Sequence, residues 1–121
     1  MTTRRERGLA VSLRLPARVA FLAETLGDPV AVAAVLEVDA EQLSRWITGE
    51  EVPELSRARQ ILELDHVAAV ACLVWEPEVA GSWFVGANTH LEGSRPVDVM
   101  TTRGSEDVLE ALDAEVQFAF G

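Results

Sequence analysis

Residues 30–53 read VAVAAVLEVDAEQLSRWITGEEVP, and the reading of this stretch decides the fold class. Asp28-Pro29 immediately before it is a helix start: Asp supplies a capping oxygen, and Pro tolerates the first helical position. The apolar run that follows predicts a short helix ending at Leu36. A tight Leu36-Glu37-Val38 turn comes next, and Asp39 caps a further helix. Gln42, three residues on, completes a capping-box pattern. Leu43, Trp46 and Ile47 form one apolar stripe, and Gly49 closes the helix. Two short helices joined in this way have helix-turn-helix spacing.

Working outward, helix signals recur on both sides. Upstream, a helix follows Pro16, with Val19, Leu22, Ala23 and Leu26 on one face and Gly27 as its stop. Downstream, a long helix begins near Pro53 or Leu55 and runs to about Trp75, where Glu76-Pro77 ends it. Its first half is one-sided (Leu55, Ala58, Ile61, Leu62). Its second half is apolar nearly all round, which predicts burial on two sides and a dimer core. A short helix containing Trp83, a turn-rich segment through Asn88 and Gly93, and a short helix after Pro96 follow. Ser105 caps the last helix, with Glu106 and Asp107 at the positive end of its dipole. Val108, Leu109, Leu112, Val116 and Phe120 share one face of it. No segment alternates as strands do between hairpin turns, so the chain reads as all-α. Its organisation is an Arg-rich N-terminal segment (1–15), a helix-turn-helix region (16–54), a long central helix (55–76) and a small helical C-terminal domain (77–121).

A chain of 121 residues makes one domain, or two very small ones sharing a core, and 49% hydrophobic residues suffice to build that core. The longest apolar candidate, residues 67–75, has nine residues, far short of the ~20 a membrane span needs. Residues 9–20 are interrupted by Ser12, Arg14, Pro16 and Arg18 and do not read as a signal peptide. These readings imply a cytoplasmic protein without a membrane partner. The single Cys72 excludes an intramolecular disulfide and reads as a buried thiol.

Charge divides the chain. The net charge is −10, yet residues 1–18 hold five arginines against Glu6 alone, while residues 61–121 carry −9. An acidic half of this kind is repelled by nucleic acid and attracted to a basic partner. Enzymatic readings find little. His66 and His90 are the only histidines, no Cys or His pair has metal-ligand spacing, and no glycine loop cradles phosphate. Asp65 and His66 are neighbours on a helix and point to different faces. The chain therefore has no predicted catalytic, cofactor-binding or metal-binding residue, and no cofactor.

The helix-turn-helix stretch resembles the Xre/Cro family of bacterial regulators, whose second helix ends in a similar Arg-Trp-hydrophobic-x-Gly…Pro pattern. The resemblance implies a recognition helix over residues 39–48, with Gln42, Ser44 and Arg45 as its exposed DNA-binding residues. Gln bonds an adenine edge, Arg forks onto guanine or phosphate, and Ser bonds phosphate. Asp39, Glu41, Glu50, Glu51 and Glu54 crowd that end of the motif, so the alternative is a retained fold that no longer reads DNA. Trp46 belongs to the core in either case.

The C-terminal segment adds a second likeness. Trp83-Phe84, Asn88, Leu91, Gly93, Arg95-Pro96, Asp98-Val99, Gly104, Val108, Leu112 and Gly121 resemble the toxin-binding domain of the MbcA/ParS/Xre family of type II antitoxins. Where that family usually has Pro before Asn, this chain has Ala87. Together with the helix-turn-helix and the central helix, the likeness covers residues 20–121. It implies an Xre/Cro-like helix-turn-helix bundle joined by a long central helix to a small helical toxin-binding domain. It also implies a partner toxin of the RES-domain type, an enzyme that degrades NAD, inhibited by the C-terminal domain covering its active site. A homodimer and autoregulation through operator DNA belong to the same expectation. Candidate toxin-binding residues are Asn88, Arg95, Asp98, Glu110, Asp113, Glu115, Phe118 and Gly121. Val116 and Phe120 either pack the last helix on the core or serve as apolar anchors. Phe118, off the stripe, is the better contact, and Trp83 reads as core before interface. The rival reading is a stand-alone dimeric DNA-binding transcriptional regulator.

Overall fold

A computed structural model describes residues 4–5, 14–26 and 29–120, with Phe120 described by its backbone alone. In order come α1 (Leu15–Leu26), α2 (Pro29–Leu36), α3 (Ala40–Thr48), α4 (Leu55–Val74), α5 (Pro77–Val85), a 3-10 turn (Thr89–Leu91), α6 (Pro96–Arg103) and α7 (Glu106–Phe120). No strand occurs among the described residues, and the fold is all-α as expected. The anticipated stop at Gly27, cap at Asp28 and contact at Gly121 lie outside the described residues, as do the side chain of Phe120 and residues 1–3 and 6–13.

Local chemistry explains most boundaries. At the end of α2, the Val38 N–H donates to the Ala33 carbonyl (2.9 Å) and the Glu37 N–H to that of Ala34 (3.2 Å). This is a Schellman closure, and Glu37 takes the left-handed position (φ 56°) that glycine usually fills. The turn is thus Glu37-Val38-Asp39, one residue later than the sequence suggested. Asp39 caps α3, its Oδ1 accepting from the Gln42 N–H at 2.8 Å. Gly49 (φ 79°) ends α3 in the left-handed conformation that a side chain would strain. Pro77 and Pro96 stand in the first turns of α5 and α6, where a missing N–H costs nothing.

Helix α1 lies at the centre and packs against α2, α3, α4 and α5. Helix α6 bridges α2, α5 and α7, and α7 closes on α4. Val19, Leu22, Leu36, Trp46, Ile61, Phe84, Val108 and Leu112 are all buried in one cluster that draws on both ends of the chain. The expected stripe of α1 is present, with Ala23 only half-buried. Arg18 of α1 pairs with Asp65 of α4, a contact 47 residues apart in sequence.

Two details fix how the C-terminal helices sit. Gly81 of α5 lies so close to the end of α1 that a Cβ there would stand 2.8 Å from the Thr25 carbonyl oxygen. Trp75 and Trp83 rest against each other with ring centroids 5.6 Å apart, tilted by 35°. Trp83 is half-buried, packed on the core edge, and Trp46 is 2% exposed, as its core reading required.

Helix α4 departs from expectation in its second half. Val67, Ala68 and Ala71 are buried, but Ala69 is exposed and Leu73 is 78% exposed. Within one chain, then, only one side of that half is covered. The continuous apolar run hid this because composition does not say which face a neighbour occupies. At the other end Leu55 is exposed, while Ala58 and Ile61 are buried and Leu62 half-buried.

Candidate functional site

The expected contact residues fall on two surfaces. The first is the outer side of the C-terminal half. Here α7 buries Val108, Ala111 and Leu112 and leaves Glu110 and Asp113 exposed. The 3.6-residue period dictates this: positions 108, 111, 112 and 115 recur on one face, and 110 and 113 on another. Glu115 and Val116 are half-buried, so Val116 sides with packing rather than free display. Phe118 is 90% exposed. A phenyl ring left in water forfeits on the order of 2 kcal/mol of burial, which makes it the clearest apolar anchor on the described surface.

Asn88 bonds its own neighbouring backbone, as its place in a turn-rich segment allows. It is buried, and its Oδ1 accepts from the His90 N–H at 2.8 Å. Its backbone N–H donates to the Ser94 carbonyl (3.1 Å), and its carbonyl accepts from Leu91 (3.1 Å) and Gly93 (2.8 Å). Four bonds on one residue knot the segment between α5 and α6. Ala87 in place of proline therefore does not prevent the turn.

Arg95 and Asp98 face each other at the start of α6, where Arg95 Nε and Nη2 both donate to the carboxylate at 2.8 and 3.0 Å. That hydrogen bonding holds the Asp98 carboxyl below its ordinary range and raises the Arg95 guanidinium. The pair is exposed and presents a neutral, hydrogen-bonded unit rather than two free charges.

A cleft of about 340 Å³ is lined by His90, Leu91, Glu92, Arg103, Asp107, Glu110 and Ala111. Two of these residues, Arg103 and Asp107, form an ion pair at 3.4 Å. Of these residues the sequence reading had singled out Glu110 for a site. The Arg103-to-Asp107 spacing of four residues over Gly104-Ser105 was the available signal.

The second surface is α3. Ser44 is exposed, whereas Gln42 and Arg45 are half-buried. Arg45 is not free: its Nε donates to Glu51 Oε2 at 3.2 Å, and its Nη1 stands 3.9 Å from Glu41. The Glu51 hydrogen bond, above all, raises the Arg45 guanidinium further. Glu51 itself is a partner that the sequence reading missed. On the neighbouring turn Arg57 pairs with Glu37 at 3.7 Å. Glu41 and Glu51 thus engage Arg45, and Glu37 engages Arg57.

Cys72 is half-buried, and burial pushes its thiol up. A thiol shifted in that direction is a poor nucleophile. No helix among the described residues is long and apolar enough to cross a membrane.

No protein-family model matches the chain. It is 31% identical over 91 residues to a probable mycobacterial cidal antitoxin of Mycobacterium tuberculosis, covering 75% of this chain and 77% of that protein. It is 25% identical over 103 residues to the mycobacterial cidal antitoxin MbcA of Mycobacterium bovis, covering 85% and 86% respectively. Among solved structures it matches a chain of the crystal structure of the M. tuberculosis MbcT-MbcA toxin-antitoxin complex. That match has a TM-score of 0.75 and 26% identity, and covers 88% of this chain and 97% of that one.

Proposed function

The chain belongs to the MbcA antitoxin family, and we propose that it binds and neutralises a partner toxin through its C-terminal half, with the outer end of α7 as the contact. The observation that carries this reading is Phe118, 90% exposed on an acidic helix in a fold shared with a chain of a toxin-antitoxin complex. The partner is a RES-domain toxin that degrades NAD. A cleft that holds a dinucleotide must neutralise two phosphates, so its mouth is basic, and an acidic cover complements it. Glu110, Asp113 and Glu115 supply charge, and Phe118 supplies apolar area, while Arg95 and Asp98 act as one paired unit. Asn88 contributes by holding the turn that positions them.

The same reading has the antitoxin working as a homodimer. Ala69 and Leu73, solvated on an otherwise apolar half of α4, support a second copy on that face. Autoregulation is a further part of it: α2 and α3 are two short helices joined by a three-residue turn, which supports a helix-turn-helix reading, and Gln42, Ser44 and Arg45 supply the groups that would face an operator.

Co-expression with the product of the neighbouring reading frame tests the antitoxin role. The wild-type chain should co-purify with that product and relieve its toxicity. Phe118→Asp should weaken the complex by about tenfold or more while leaving the melting temperature unchanged. Full neutralisation by Phe118→Asp would remove α7 from the interface, and failure of the wild-type chain to bind would end the antitoxin reading.

A further inference from the structure

Helix α3 carries a competitor for its own arginine. Gly49, left-handed at φ 79°, reverses the chain after α3, and the Glu51 N–H then donates to the Arg45 carbonyl at 3.1 Å. The Thr48 hydroxyl donates to the same carbonyl at 3.2 Å. The first of these contacts is backbone to backbone, so residue 51 is delivered beside residue 45 whatever rotamer either side chain takes. From there the Glu51 carboxylate accepts from Arg45 Nε at 3.2 Å, with Glu41 one helical turn back at 3.9 Å.

We propose that Glu51, assisted by Glu41, is an autoinhibitory latch on Arg45: a duplex docking on α3 competes with these carboxylates for the guanidinium. The inference rests on the operator-binding reading of α3. A guanine edge or a phosphate that takes the Nε side of the guanidinium needs the donor that Glu51 occupies, and one that approaches Nη1 meets the Glu41 carboxylate, so the ligand and the two carboxylates compete for one cation. The other charges in the neighbourhood work the same way. Arg57 is held by Glu37, and Asp39 occupies the amino end of α3 with its capping bond. Non-specific phosphate attraction is therefore weak, and only a sequence that offers Arg45 a better partner than Glu51 repays opening the latch. The device favours selectivity over affinity.

Fluorescence anisotropy with a duplex covering the region upstream of the chain's own reading frame tests this on the full-length protein at fixed low salt. Glu51→Gln should tighten binding by roughly two- to fivefold, the scale of an exposed ion pair. Glu54→Gln removes the same charge from the same exposed rim without touching Arg45, and should have a smaller effect. Adding Arg45→Ala to Glu51→Gln should abolish the gain. An equal gain from Glu54→Gln would reduce the effect to net charge and overturn the latch. Unchanged or weaker binding by Glu51→Gln would overturn it as well. If no variant binds the duplex while all still co-purify with the toxin, the latch and the operator reading fall together and the antitoxin reading stands.

Discussion

Replacing Gly81 with alanine tests the contact that seats α5 on the end of α1. A Cβ at this position would lie 2.8 Å from the Thr25 carbonyl oxygen and 3.3 Å from that of Leu26. The first distance is roughly 0.5 Å inside the closest ordinary C···O approach of about 3.3 Å. Both obstructing atoms are backbone, at the end of a helix that itself packs on four others, so no rotamer change relieves the overlap. Helix α5 must instead lift from α1. Overpacking of this kind costs about 1–3 kcal/mol. Alanine returns about 0.5–1 kcal/mol through its better helix propensity. The net expectation is a loss of about 1–2 kcal/mol, since rigid backbone places the clash in the upper part of its range. For a chain of this size that lowers the melting temperature by roughly 4–8 °C. Circular dichroism melts measure it, and the near-ultraviolet signal of the Trp75–Trp83 pair should weaken with it. Ser82→Ala, on the exposed side of the same helix, is the control for propensity and should be close to neutral. An unchanged or higher melting temperature for Gly81→Ala would show that α5 has slack against α1, and the close-approach argument would fail.

Phe84, 1% exposed within the same helix, should cost about 3–5 kcal/mol when cut to alanine, read from urea denaturation midpoints; a loss under about 1 kcal/mol would contradict its place in the core. For pH dependence, the Arg95 hydrogen bonds depress the folded-state pKa of Asp98 below its ordinary 3.8. The stabilisation is therefore present above the unfolded-state pKa and is lost as pH falls through the lower folded value. Carboxyl NMR titration should find Asp98 below its ordinary value and Arg95→Ala should return it upward; an Asp98 that titrates normally in the intact protein would disprove the pairing.

What the sequence determined by itself is what acts within about four residues. Asp39 bonding the Gln42 N–H, Gly49 closing α3, Pro77 and Pro96 opening α5 and α6, and the stripes of α1 and α7 are all settled by neighbours along the chain. A cap or a missing N–H acts on the adjacent turn whatever the rest of the protein does. The kinship with the antitoxins was legible for a related reason. The ordered run from Trp83 to Leu112 combines such signals with apolar positions that this fold buries, Phe84, Leu91, Val99, Val108 and Leu112 among them. Tertiary structure alone decided which chemically able residues remain available to a partner. Asn88 is polar and lies in a turn-rich stretch, and only the fold buries it there with its side-chain oxygen on the His90 N–H. Arg45 looks free on α3 and is met by Glu51, brought round by a left-handed glycine. Leu73 and Val67 look alike in one apolar run, and only the position of neighbouring helices leaves one in water and the other at 0% exposure. Gly81 is unremarkable until Thr25, more than fifty residues earlier, is found against it. Burial and pairing depend on atoms distant in sequence, and no local propensity encodes where those atoms will be.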